Sequence, residues 1–232
     1  MSNFIFCYFV IINMIKTLTS HLLIIIMIIR GGNMKELEHV ENLLVVIDVI
    51  NGFINEGNMK DNYVARIIPG VETLVKEYVN KGNNEVFYIR DSHSINSIEF
   101  KKFPIHCLKN TRESEVVDEL KQYESSVRTY LKNSTSAIFA KGLLEDISKM
   151  NNLKRVVVVG CCSDICVINF TLPLVNYFDE NNKMVKVEVR EDLIETYDSP
   201  YHNREEYNKI SKLLLKQAGV NVVNGEVRKN VR

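Results

Sequence analysis

The stretch from Lys154 to Val167, KRVVVVGCCSDICV, constrains this chain more than any other. Val156 to Val159 form a β-branched run that suits a strand covered on both faces. Gly160 ends the run, a short polar turn follows, and Cys166 falls where a helix should begin, leading into INFTLPLVNYF. The first turn of a helix carries partial positive charge and unpaired N–H groups. A thiol placed there is expected to ionise well below the ordinary cysteine range, and the thiolate is a nucleophile. A free cysteine taken alone is more often a small buried hydrophobe. Matching chemistry at three other strand ends favours the nucleophile.

From residue 43 onward, strand and helix patterns alternate. Strands are predicted over Leu43–Asp48, Glu85–Arg90, Val127–Leu131, Arg155–Val159, Met184–Val189 and Val220–Val223. Helical spacing runs through Val64, Ile67, Ile68, Val71, Leu74, Val75 and Tyr78, with Pro69-Gly70 starting the helix proper and Gly82 placed to end it. Further helices are predicted over Glu113–Tyr123, Leu143–Met150, Cys166–Phe178 and Arg204–Gln217, the last capped by Gly219. Pro173 implies a kink in its helix. The pattern predicts an α/β fold, three layers deep, with a mostly parallel six-stranded sheet. In such sheets ligands bind beyond the carboxyl ends of the strands.

Composition narrows the function class. The chain has 232 residues, 46% hydrophobic and 25% charged, enough for one α/β domain with a full core. Lys+Arg and Asp+Glu are both 29, and no basic stripe suggests nucleic-acid binding. Five cysteines, two of them adjacent, do not resemble a disulfide framework and favour a reducing cytoplasm.

Residues 1–29 run against that reading, because FIFCYFVII and LLIIIMII are strongly apolar. Each run is shorter than the roughly 20 residues a spanning helix needs. Arg30-Gly31-Gly32, just before Met34, has the purine-rich coding expected of a ribosome-binding site. We therefore expect residues 1–33 to be a mis-called extension and 34–232 the working domain. If the extension is expressed, it reads as a membrane anchor or uncleaved signal.

The polar residues fall on one edge of the predicted sheet. Asp48 ends the first strand, Asp91 and His93 follow the second, Lys132 follows the third and Cys166 lies beyond the fourth. An Asp at a strand end is usually a turn or cap, and a Lys is usually solvated. An Asp, a Lys and a Cys converging on one edge are better explained as a site. His202, in ETYDSPYHN, reads as a surface or capping residue.

These residues resemble the isochorismatase-like cysteine hydrolases. Val45-Val46-Ile47-Asp48 with Asn51-Gly52-Phe53 is similar to their opening motif, Lys132 in YLKNSTSAIF to their lysine motif, and Gly160–Val167 to their nucleophile motif. The resemblance spans about residues 41–223, with the motifs in order. It implies a catalytic triad of Asp48, Lys132 and Cys166. It also implies a cis peptide at Cys161–Cys162 and an oxyanion site from the backbone N–H groups of Cys162 and Cys166. Isochorismatases proper lack the cysteine, so Cys166 argues against that activity. Lys109-Asn110-Thr111 stands where relatives usually have a glycine, and Asn tolerates a left-handed turn.

Within the family, the second strand end resembles nicotinamidases. Asp91, His93 and His106 match their metal-ligand pattern, and Glu99 falls at its variable position, with direct or water-mediated binding both open. The implied cofactor is one divalent metal, zinc or else manganese or iron. The implied reaction converts nicotinamide to nicotinate and ammonia through a cysteine thioester, in NAD salvage. Phe53 and Phe103 match positions that sandwich the ring, though core packing serves equally for both. The family usually forms homo-oligomers. Two alternatives stand beside this reading. One is another amide or carbamoyl hydrolase on the same triad. The other is a redox or metal sensor using Cys161, Cys162 and Cys166, which the lack of a CxxC pair disfavours.

Overall fold

The computed structural model describes residues 36–225; the apolar segment 1–33 lies outside them. Six parallel strands form one sheet: β1 (Asn42–Ile47), β2 (Asn84–Asp91), β3 (Arg128–Lys132), β4 (Arg155–Cys161), β5 (Lys186–Glu195) and β6 (Asn221–Val223), in the order β3-β2-β1-β4-β5-β6. The helices are α1 (Asn51–Ile54), α2 (Ile68–Val79), α3 (Asp118–Lys121), α4 (Leu143–Ser148), α5 (Ile168–Glu180) and α6 (Arg204–Gln217). The predicted helix over Glu113–Tyr123 is in fact a 3₁₀ turn, Arg112–Ser114, followed by the four-residue α3. Among the described residues, no helix is long and apolar enough to cross a membrane.

Successive residues of each strand point to opposite faces, so each strand feeds two cores. Leu43, Val45, Ile47, Val156 and Val158 pack with α4, α5 and α6 through Leu143, Ile147, Phe170, Leu174 and Leu215. Leu44, Val46, Val157 and Val159 pack with α2 and α3 through Ile68, Val71, Val75 and Leu120. The continuous valine run of β4 is therefore buried throughout, as expected of a parallel strand with helices on both sides.

Strand order reverses direction between β1 and β4, which opens a crevice at their carboxyl ends. Asp48 leaves β1 there, and the cysteine turn leaves β4. Gly160 makes the close approach possible. It adopts φ +120°, pairs with Ile47 and sits at a register shift between β4 and β5. A Cβ at this position would lie 1.9 Å from the Ile47 carbonyl oxygen. Gly160→Ala is therefore expected to cost about 4 kcal/mol or more. A thermal melt checks this: a melting temperature close to wild type would contradict it.

Pro173 does not break α5, which runs unbroken from Ile168 to Glu180. Its missing N–H leaves the Asn169 carbonyl without its helical partner. The Ser136 hydroxyl donates to that carbonyl at 2.6 Å and so replaces the lost bond.

Candidate active site

The first strand ends on an irregular residue. Asp48 has φ 52°, a left-handed conformation uncommon outside glycine, asparagine and aspartate. Its backbone N–H donates to the Ile89 carbonyl, and its Oδ1 accepts from the Asp91 N–H at 2.9 Å. These bonds turn the carboxylate across the sheet edge toward β3. There, Lys132 Nζ lies 2.8 Å from Asp48 Oδ2, 2.5 Å from Asp91 Oδ1 and 3.5 Å from Cys166 Sγ. Asp48, Asp91, Lys132 and Cys166 are all buried. Lys132 is the last residue of β3 rather than the first beyond it, and Asp91 is likewise inside β2.

Cys166 does not begin a helix, as the sequence suggests. It sits within a π-helical turn, Ser163–Val167, and α5 starts after it. The Cys162 carbonyl accepts from the N–H groups of both Ile165 and Val167. The Cys161–Cys162 peptide is cis, and the Cys161 thiol donates to the Asp48 carbonyl at 3.0 Å.

The expectation of a low thiol pKa is overturned. Burial pushes the Cys166 thiol well above its ordinary range; Lys132 opposes this, while the Asp48 and Asp91 charges reinforce it. In a dry site the desolvation of a thiolate outweighs the field of one turn. At rest Cys166 is therefore a thiol, which reacts as a thiolate only once a neighbouring base takes its proton. Asp48 is suited to take it. Burial raises its carboxyl, Lys132 pulls it back, and it settles at about 6. Lys132 stays charged, because Asp48 and Asp91 outweigh the burial that disfavours its ammonium. Burial also opposes ionisation of Asp91, but Lys132, with His106 and His93 beside it, holds it far below the carboxylate range.

Beside this group stand the two histidines. His93 and Leu108 form a parallel bridge, which brings the segment carrying His106 alongside the end of β2. Candidate ligand atoms of Asp91, His93 and His106 all lie within 4.8 Å of one another. Asp91 Oδ1 is 3.4 Å from His93 Nε2, and Asp91 Oδ2 is 3.8 Å from His106 Nε2. His93 Nδ1 faces Asn133 Oδ1 at 3.0 Å, and His106 Nδ1 faces the Pro104 carbonyl at 2.7 Å. Both outer nitrogens thus donate to fixed acceptors, which leaves the Nε2 lone pairs turned inward. His93 Nε2 is buried with no hydrogen-bond partner. An imidazole–carboxylate set with an orphaned inward nitrogen fits a divalent metal ion. Glu99 lines the adjoining cavity, but its carboxylate is not part of this close group.

The cavity above the thiol is lined by Phe53, Phe103, Asp91, His106, Cys162 and Cys166, with Met59, Glu99, Thr135 and Ile165 completing the wall. Phe53 and Phe103 approach the His106 ring, at centroid distances of 5.6 and 6.3 Å. Thr135 and Ile165 lie within the lysine and nucleophile-like motifs yet carry no chemical signature, so only the fold reveals them. Met59 and Asn133 are equally silent in sequence. A larger chamber adjoins through Met59 and Phe103.

A parallel α/β sheet thus carries these groups at its switch point. The isochorismatase domain profile matches residues 42–179, and the chain belongs to the isochorismatase family of hydrolases. It is 31% identical over 141 residues to nicotinamidase 1 of Arabidopsis thaliana, a match covering 55% of this chain and 57% of that protein. The aligned stretch thus spans a little over half of that relative's length. Solved structures share the fold. Nicotinamidase of Bacillus subtilis has a TM-score of 0.67 at 20% identity, covering 79% of this chain and all of that one. N-carbamoylsarcosine amidase of Thermoplasma acidophilum has 0.66 at 21%, covering 82% and 100%. Pyrazinamidase of Pyrococcus horikoshii in complex with zinc has 0.65 at 23%, covering 79% and 99%.

Proposed function

We propose that this protein is a nicotinamidase-type amidohydrolase that converts nicotinamide to nicotinate and ammonia through a thioester on Cys166. The observation that carries the reading is the direct contact of Lys132 with Asp48, Asp91 and Cys166, beside two histidines whose Nε2 atoms turn inward. The 31% identical nicotinamidase supports the substrate class.

Asp48 takes the Cys166 proton as the sulfur attacks the carboxamide carbon, and the Lys132 charge steadies the forming thiolate. The N–H groups of Cys162 and Cys166 receive the oxyanion. Asp48 passes its proton to the departing ammonia, and water then hydrolyses the thioester. Phe53 and Phe103 flank the ring and hold it for attack. Asp91, His93 and His106 would hold a divalent metal, zinc foremost, with Glu99 beside them in the same cavity as the fourth candidate ligand. Bound there, the metal supplies a Lewis-acidic point that anchors the heteroatom of a pyridine ring. In this reading the enzyme works in NAD salvage in the cytoplasm, as a homo-oligomer.

Ammonia release from nicotinamide, compared with a panel of carbamoyl and aliphatic amides, tests the substrate. Release from nicotinamide that falls on chelation and returns with zinc or manganese supports the reading. Release only from other amides moves the same triad to another substrate. His106→Ala is expected to weaken metal and nicotinamide binding together, each by about tenfold or more. Calorimetric titration of metal checks this, and unchanged metal affinity would remove His106 from the ligand set.

A further inference from the structure

The sequence suggested a surface or capping role for His202, and the structure gives it neither. Asn203, not His202, caps α6, and His202 is buried. Its ring lies between two tyrosines, with the Tyr197 centroid at 3.9 Å and 10° and the Tyr207 centroid at 3.8 Å and 20°. Nδ1 is 3.0 Å from the Tyr197 carbonyl, and Nε2 is 2.9 Å from Asp164 Oδ2. Both ring nitrogens thus face acceptors, a carbonyl on one side and a carboxylate on the other.

Asp164 belongs to the π-helical turn, two residues before Cys166. Its side chain is only 9% exposed, and its Oδ1 already has no hydrogen-bond partner. The preceding residue is tied to the same C-terminal segment: the Ser163 hydroxyl donates to Asn208 Oδ1 at 2.6 Å, and Asn208 Nδ2 donates to Glu195 Oε1 at 2.5 Å. Two successive side chains of the turn are thus anchored to the segment running from the end of β5 into α6. Without His202, the Asp164 carboxylate would be left unpaired in a nearly closed position, and the turn would have to shift to hydrate it. A π-helical turn is rare and confined to a single turn, so its shape depends on such outside ties.

We propose that His202 is a positioning residue: through Asp164 it fixes the turn that carries the Cys166 thiol and the N–H groups beside it. The proposal rests on the reading of Cys166 as nucleophile. His202→Phe tests it, because phenylalanine keeps a ring between the two tyrosines and removes both hydrogen bonds. With zinc-loaded full-length protein, two quantities are compared with wild type: kcat and KM for nicotinamide, and the rate at which iodoacetamide alkylates Cys166, read by peptide mass spectrometry. Misplacing the thiol is expected to lower kcat about tenfold with KM within about twofold, and to change the alkylation rate by about threefold or more. His202→Gln keeps an N–H for Asp164 and is expected to recover most of both losses. The double variant Asp164→Ala, His202→Phe should be no slower than the worse single variant. Wild-type kcat and alkylation in His202→Phe, equal impairment of His202→Gln, or additive losses in the double variant would each overturn the proposal. If wild-type protein releases no ammonia from nicotinamide, the substrate reading fails, while the alkylation comparison still decides the role of His202.

Discussion

Replacing Cys166 with alanine is expected to abolish amide hydrolysis while the protein keeps its fold and its ligand affinity. The thiol is small and buried at the wall of the cavity, with Lys132 Nζ 3.5 Å from its sulfur. Its removal leaves a void of about one atom, for which a cost of roughly 1 kcal/mol is appropriate. Catalysis has no substitute for it. Asp48 and Lys132 can move and stabilise charge, but neither is placed to form the acyl intermediate, so a loss of about 10⁴-fold or more in kcat is expected. Steady-state ammonia release together with nicotinamide binding to the variant measures both halves. Wild-type turnover by Cys166→Ala would remove the nucleophile from the account.

Lys132→Met carries the second large effect, and it acts on stability as well as rate. The ammonium lies between two buried carboxylates, Asp48 and Asp91, with side-chain exposures of 0% and 2%. Removing one partner of a buried charge group leaves the other uncompensated, at a cost of about 3–5 kcal/mol. Burial and the Asp91 charge both push the Asp48 carboxyl up, and Lys132 is the foremost group holding it down. Without Lys132 the base is held in its protonated form, and the thiol loses its acceptor. Activity per folded molecule should fall by about 10²-fold or more. Chemical denaturation and ammonia release on the same preparation separate the two effects. A variant as stable as wild type would show that the carboxylates are not ionised together in the folded protein.

The strands were legible because parallel strands buried on two faces read as unbroken apolar runs, as in Val156–Val159 and Leu43–Ile47. Once their order was known, Asp48, Asp91, Lys132 and Cys166 had to share an edge. Asn110 was legible for a similar reason: its φ of 65° is the left-handed turn that its side chain tolerates. The acidity of Cys166 was not legible, because helix position gives the sign of the local field but not the depth of burial opposing it. The helix expected over Glu113–Tyr123 shrank to a 3₁₀ turn and the short α3, since its buried Val116, Val117 and Leu120 join the core beneath α2 rather than forming a longer helical stripe. His202 was opaque because its partners, Asp164, Tyr197 and Tyr207, meet only when the segment after β5 folds over the π-helical turn. The Asn133 bond to His93 shows the same limit: a second-layer contact is set by geometry across strands and leaves no pattern along the chain.

The central claim is a covalent bond between Cys166 and the acyl group of the substrate. Protein quenched in acid during turnover of nicotinamide, then digested and examined by mass spectrometry, tests it most directly. A nicotinoyl adduct on the peptide bearing Cys166, absent from Cys166→Ala and decaying as substrate is exhausted, is the expected result. Sustained ammonia release with the adduct on another residue, or with no adduct under conditions where hydrolysis of the acyl group is slowed, would contradict it.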